Sequence, residues 1–147
     1  MENSIEKLTA IQKEVGYETG EINNIALLGL FGEAGEVINE CAFSMKGGQS
    51  FNGEGDLLHD AVITSEKVDA LKKRIRDKQK EPMNITIKDE VKFDSEIADV
   101  LYYLNALAIN RGKTLNDYAE LSCNKVMKYK IQKDIRHANV SHGTKSE

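Results

Sequence analysis

Pro82 is the only proline in a chain of 147 residues, and apolar side chains recur through most of the remainder at spacings of three and four rather than two. Helix interiors exclude proline, and a period near 3.6 marks helices with one face turned to a core. The pattern therefore predicts an all-α chain in which sheet is at most a minor feature. Ser4 is placed to cap a first helix ending near Gly16, and a second, apolar on most sides, is expected from Ile22 to Met45 before Gly47-Gly48. The Gly-rich stretch 48–64 reads as a loop or short hairpin. Thr64 or Ser65 then opens a polar surface or oligomer-contact helix, SEKVDALKKRIRDKQK, bounded by Pro82. Thr86 with Asp89, and Thr114 with Asp117, have the spacing of capping boxes. They introduce one helix reaching Arg111 before Gly112 and another over LNDYAELSCNKVMKYKIQK, after which 136–147 holds little apolar material and is expected to be a flexible tail.

The length is that of one domain, 1–147, able to bury about two-thirds of its unfolded surface. With 20 basic and 24 acidic residues the net charge is −4, which argues against a nucleic-acid duplex as partner, since phosphate-backbone binding requires a basic footprint. Cys41 and Cys123 form no CxxC or Cys/His cluster, so neither a disulfide framework nor a zinc site is expected, and a reducing cytoplasm fits. No run approaches the ~18 apolar residues of a membrane span, and the basic-then-apolar pattern of a signal peptide is missing. The expected location is cytoplasmic, with no membrane partner.

Against this background two acidic pairs stand out inside apolar segments: Glu33 with Glu36 in GLFGEAGEV, and Glu96 with Asp99 in SEIADVLYYL. Lone charges are costly to bury, and i, i+3 spacing on a helix projects both carboxylates from one face. At 100° per residue Glu33, Glu36 and Glu40 share a narrow sector bordered by Leu30 and Val37, while Glu96, Asp99, Tyr103 and Asn110 flank an apolar stripe of Ile97, Val100, Leu104 and Ala108. Carboxylates gathered at the edge of a core repel one another unless cations neutralise them. Hard oxygen ligands without His or Cys suit Mg²⁺, or Mn²⁺ in its place, and Mg²⁺ typically bridges to substrate phosphates. A di-iron bundle would need ExxH partners, yet His59, His137 and His142 all lie outside the acidic segments, and His59-Asp60 has no second histidine to complete a site. Gly29, Gly32 and Gly35 recur through the second helix although each costs roughly 0.5–1 kcal/mol relative to alanine. Either a second helix or a nucleotide approaching closely would require the missing side chains.

The succession GLFGEAGEV, EIADVLYYL, NKVMKYK resembles the MazG-like nucleotide pyrophosphohydrolases of the all-α NTP pyrophosphatase superfamily, marked by an ExxE pair, an ExxD pair and a basic helix. The likeness spans roughly 22–46 and 86–133. It implies a helical bundle assembled as a homodimer or homotetramer, with Mg²⁺ held by Glu33, Glu36, Glu96 and Asp99. It also implies cleavage of nucleoside triphosphates between the α- and β-phosphates, giving monophosphate and pyrophosphate, in a house-cleaning role on modified or surplus (d)NTPs. Asn124 and Lys128, one turn apart, are then the phosphate contacts, with Lys125 a weaker one, although lysines near a helix C-terminus also favour the macrodipole and solvent. Glu36 is the candidate proton acceptor for the attacking water. Glu40 is an acid able to hydrogen-bond the ligand carboxylates or to pair with solvent-exposed cations, and Tyr102 and Tyr103 are candidates to stack on a base.

The chain departs from the compact members in the 59 residues between Glu36 and Glu96, so 47–85 reads as an insertion of a loop and helix. Two other functions fit the same residues. One is a phosphoribosyl-ATP pyrophosphohydrolase; the other is a non-catalytic helical scaffold or nucleotide-binding protein that keeps its acids for binding.

Overall fold

A computed structural model describes residues 3–18, 22–41 and 54–142. Among the described residues there are five helices: α1 (Ser4–Glu14), α2 (Asn24–Asn39), α3 (Glu54–Arg76), α4 (Glu90–Asn110) and α5 (Leu115–His142). No strand occurs among the described residues. No helix among them is long and apolar enough to cross a membrane.

Local chemistry sets the helix ends. Asn3, not Ser4, caps α1: its Oδ1 accepts the Glu6 N–H at 2.9 Å while Glu6 Oε2 accepts the Asn3 N–H at 3.1 Å. Asp89 caps α4 by itself, accepting the Lys92 N–H at 3.1 Å, so Thr86 falls outside the helix and the expected box is replaced by a single-residue cap. At α5 the expected box forms, with the Thr114 N–H donating to Asp117 Oδ2 at 2.7 Å and the Asp117 N–H to Thr114 Oγ1 at 3.2 Å. The Thr114 backbone N–H, and after it the Thr114 hydroxyl, hold the Asp117 carboxyl below the ordinary carboxylate range. Beyond α1 and α4 the chain turns through Gly16 (φ +94°) and Gly112 (φ +63°), conformations that glycine adopts without steric cost.

Three helix boundaries differ from the sequence reading. α2 ends at Asn39 with Glu40 as its C-cap, short of Met45; the Gly47-Gly48 stop and the beginning of the expected loop lie outside the described residues. From Glu54 the stretch read as loop is helical, and α3 runs unbroken to Arg76, where it closes with Lys78 in the left-handed region, ahead of Pro82. Gly48, Gly53 and Gly55 give the start of 48–64 a loop-like composition, and they obscure the helical spacing of Leu58, Ala61, Val62 and Ser65 that follows. At the other end α5 continues beyond Lys133 to His142, because no proline or glycine interrupts it before Gly143.

The helices fall into two compact units, one of α2 and α3 within 20–87 and one of α1, α4 and α5 within 1–19 and 88–147. In the first unit α3 is the packing partner of α2, rather than a peripheral surface helix. The pairing is antiparallel. A Cβ placed on Gly29 would meet the Lys72 stem at 3.5 Å, one on Gly32 would meet Asp69 Cβ at 3.2 Å, and one on Gly35 would overlap the Ser65 side chain. The glycine stripe of α2 is thus a seam that admits a second helix. Ser65, 2 % exposed, is fixed in it by donating its hydroxyl to the Val62 carbonyl at 2.7 Å.

In the second unit α5 packs chiefly on α1. The Ser4 N–H donates to Asn116 Oδ1 at 3.0 Å, and the buried Cys123 thiol faces the Ser4 carbonyl at 3.7 Å. α4 is less covered. Of the stripe expected to line a core, Ala108 is fully buried and Val100 half-buried, but Ile97 and Leu104 are exposed, as are the neighbouring Leu101 and Leu107. The stripe runs the length of the helix, whereas contact with α5 is far less extensive than that between α1 and α5.

Gly35→Ala should lower stability by about 1–3 kcal/mol, because the Ser65 Cβ is backbone-anchored and cannot swing away. Adding Ser65→Gly should recover part of that loss, offset by the roughly 1 kcal/mol cost of a helix-interior glycine. Adding Ser65→Ala should recover none of it. Urea unfolding of the original, Gly35→Ala, Ser65→Gly and their double in a double-mutant cycle, with the Ser65→Ala double alongside, checks this; additivity of the Gly35→Ala and Ser65→Gly changes would remove the seam from the account.

Candidate functional site

Glu33 and Glu36 lie on α2 between its two apolar sectors. The glycine seam occupies one flank and Leu30 and Val37 the other, so the carboxylates emerge at the border of the α2–α3 contact. Both are exposed. α3 supplies an arrangement beside them that the sequence pattern alone did not single out. Asp69, 8 % exposed, accepts from Lys72 Nζ at 2.5 Å on one oxygen and from Lys73 Nζ at 2.6 Å on the other. Lys72 Nζ also stands 3.8 Å from Glu33 Oε1.

These contacts polarise the cluster. Hydrogen bonds from Lys72 and then Lys73 hold the Asp69 carboxyl below the ordinary carboxylate range, outweighing the opposing effect of burial. The bond to Asp69 raises the Lys73 ammonium above the usual lysine range, with a smaller contribution from the charge of Glu36. Beside it lies a cleft of about 300 Å³ whose lining includes Gly32, Glu36, Ser65, Glu66, Asp69 and Lys73. Three carboxylates face one ammonium there, so the cleft carries negative charge. The legible signal for α3 is its own spacing: Ser65, Asp69 and Lys72 step by four and three along one face, opposite glycines that step by three.

The second unit holds the other pair. Glu96 and Asp99 are exposed on α4, and neither has a hydrogen bond or ion pair among the described residues. Tyr103 follows Asp99 by one turn and meets Tyr102 edge-to-face, with ring centroids 5.4 Å apart at 85°. Both rings are exposed, as an aromatic platform must be. Asn124, Lys125 and Lys128 are exposed on α5, and none is bonded to Glu96 or Asp99. Farther along α5, Tyr129, Gln132, Lys133, Arg136 and His137 line a shallow groove of about 520 Å³. Glu40, the exposed C-cap of α2, donates its backbone N–H to the Glu36 carbonyl at 3.1 Å, but its side chain makes no hydrogen bond to the carboxylate of Glu33 or Glu36. His59 and Asp60 are successive exposed residues within α3.

Each unit thus presents one carboxylate pair, and among the described residues no group of three or more His, Cys, Asp or Glu is placed to hold a metal ion together. The donor chemistry nonetheless fits Mg²⁺. All four groups are carboxylates with solvent access, and Mg²⁺ keeps several waters while binding one or two carboxylates and substrate phosphates. In comparisons with protein-family models, curated proteins and solved structures, this chain matches none.

The ionic cluster has a pH signature. Because the native Asp69 carboxyl titrates below its ordinary value of 3.8, its contribution to stability is complete above that value and is lost as pH falls through the native one. Asp69→Asn should cost about 2 kcal/mol near neutral pH, the scale of hydrogen bonds to charged groups. It should also flatten the decline in stability between about pH 5 and about pH 2. Urea midpoints across that range provide the measurement; parallel acid limbs for the two proteins would mean that Asp69 is not the group responsible.

Proposed function

We propose that this protein is a Mg²⁺-dependent nucleoside triphosphate pyrophosphohydrolase of the MazG-like kind, acting as a homo-oligomer. It would cleave (d)NTPs between the α- and β-phosphates to release (d)NMP and pyrophosphate. The observation that carries the reading is the display of both acidic pairs at the surface. None of the carboxylates of Glu36, Glu96 and Asp99 is committed to a hydrogen bond or ion pair among the described residues, which leaves all three open to a cation. The ExxE pair, ExxD pair and basic helix follow one another in the order of that family.

Glu33, Glu36, Glu96 and Asp99 are the residues that would hold Mg²⁺. When bound, the ion supplies Lewis-acid withdrawal of charge from the phosphate oxygens and the pyrophosphate leaving group. Glu36 accepts the proton of the water that attacks the α-phosphorus. It suits that role better than Glu33, whose Oε1 already has an ammonium 3.8 Å away. Asn124, Lys128 and Lys125 orient the phosphate chain, and Tyr103, with Tyr102 braced against it, stacks on the base. The exposed Ile97, Leu101, Leu104 and Leu107 face of α4 supports assembly, since a second copy covering it would remove apolar surface worth about 25 cal/mol per Å².

Incubation with a panel of ordinary and modified NTPs and dNTPs, with Mg²⁺, Mn²⁺ or EDTA, tests the reaction. Metal-dependent monophosphate and pyrophosphate are expected, and Glu36→Gln should lower turnover at least about 100-fold with its thermal unfolding little changed. Turnover of phosphoribosyl-ATP alone would replace this substrate class with the histidine-pathway one. Nucleotide binding without any turnover would make the chain a binding protein. Light scattering should give a mass of two or four chains, and the mass of one chain would remove the assembly.

A further inference from the structure

The α2–α3 unit contains a cation of its own beside the acidic pair. The side chain of Lys72 is only 12 % exposed, unusual for a lysine, and two features keep it there. Its stem lies over Gly29, where a side chain on α2 would meet the Lys72 Cδ at 3.5 Å. Its ammonium is tethered at 2.5 Å to Asp69, itself held by Lys73 on its other oxygen. This double hold points the charge across the helix pair to Glu33 Oε1, 3.8 Å away, while Glu33 itself is mostly in solvent. A free surface ion pair would share exposure between its partners. Here the cation is covered and tethered, and the anion is in solvent.

We infer that Lys72 is a positioning residue, a tethered counter-ion that offsets the charge of Glu33 when no divalent cation is bound and with which an incoming divalent cation must compete at the carboxylate. This inference rests on the proposal that Glu33 is a metal ligand. Two cations at one carboxylate repel, and the charge of Lys72 cannot leave because Asp69 and the Gly29 groove retain it. Lys72 therefore weakens divalent binding and keeps the carboxylates of α2 from repelling each other in the metal-free protein. The glycine seam thereby acquires a second use: the surface over Gly29 is where the Lys72 stem lies on its way to Glu33.

Mn²⁺ binding to the full chain, followed by electron paramagnetic resonance of the free ion, tests the inference independently of turnover. Lys72→Met keeps the length and packing of the stem without its charge, and it should tighten Mn²⁺ binding roughly fivefold at low ionic strength, the scale of one charge a few ångströms away in a solvated setting. Lys72→Arg keeps the charge and should bind within about twofold of the original. Thermal unfolding supplies a second readout, in which Lys72→Met should be less stable without metal and regain more on adding Mn²⁺ than the original does. Equal, measurable affinities for the original and Lys72→Met would overturn the counter-ion role and leave the metal site standing. A loss of stability in Lys72→Met that Mn²⁺ does not reverse would reduce Lys72 to a structural ion pair. Absence of Mn²⁺ binding in all three proteins would overturn the inference together with the metal assignment beneath it.

Discussion

The approach of α2 to α3 is the constraint on which the rest of the described architecture near the acids depends. At Gly35 the helices are so close that even a methyl group would overlap Ser65, and the spacing opens only gradually through Gly32 and Gly29. Close packing of this kind loses helix propensity at each glycine and recovers dispersion contacts between backbones that larger residues would hold apart. It also fixes the rotation of α2. With the glycines turned toward α3, Glu33 and Glu36 have to emerge at the border of the contact, where α3 supplies Asp69, Lys72 and Lys73.

Charge is handled differently in the two units. On α3 one buried carboxylate joins two lysines, so the Asp69 oxygens are satisfied and the desolvation cost is shared among three groups. On α4, Glu96 and Asp99 stay in solvent and need no partner to be stable. The first arrangement organises a helix pair; the second leaves carboxylates available.

The all-helical character was legible in the sequence because it rests on local rules: one proline, a sustained 3.6 period, and Thr114 with Asp117 ahead of α5. The cap at Asn3 was displaced by one residue because Ser4 and Asn3 are both competent and only Asn3 has Glu6 three positions later. The start of α3 was hidden by the glycines before Glu54, whose composition outweighed the helical spacing that follows. The candidate acids were recognisable from their apolar context, but their neighbours on α3 were not. Whether Gly29, Gly32 and Gly35 receive a helix or a ligand depends on a segment distant in sequence, and Ser65, Asp69 and Lys72 look like ordinary surface residues until that segment is in place.

The connectivity of the two units bears on how the chain reaches its native state during synthesis. The residues of α2 and α3 emerge consecutively and can pair as soon as Arg76 has been made. α1, although made first, finds its partner only across a sequence separation of 112 residues, the distance from Ser4 to Asn116. Closing so long a loop costs conformational entropy before any contact offsets it. Translated ahead of the other four described helices, α1 is therefore among the last of them to be docked, and it remains without its α5 contacts while the segment from α2 to α4 is being made.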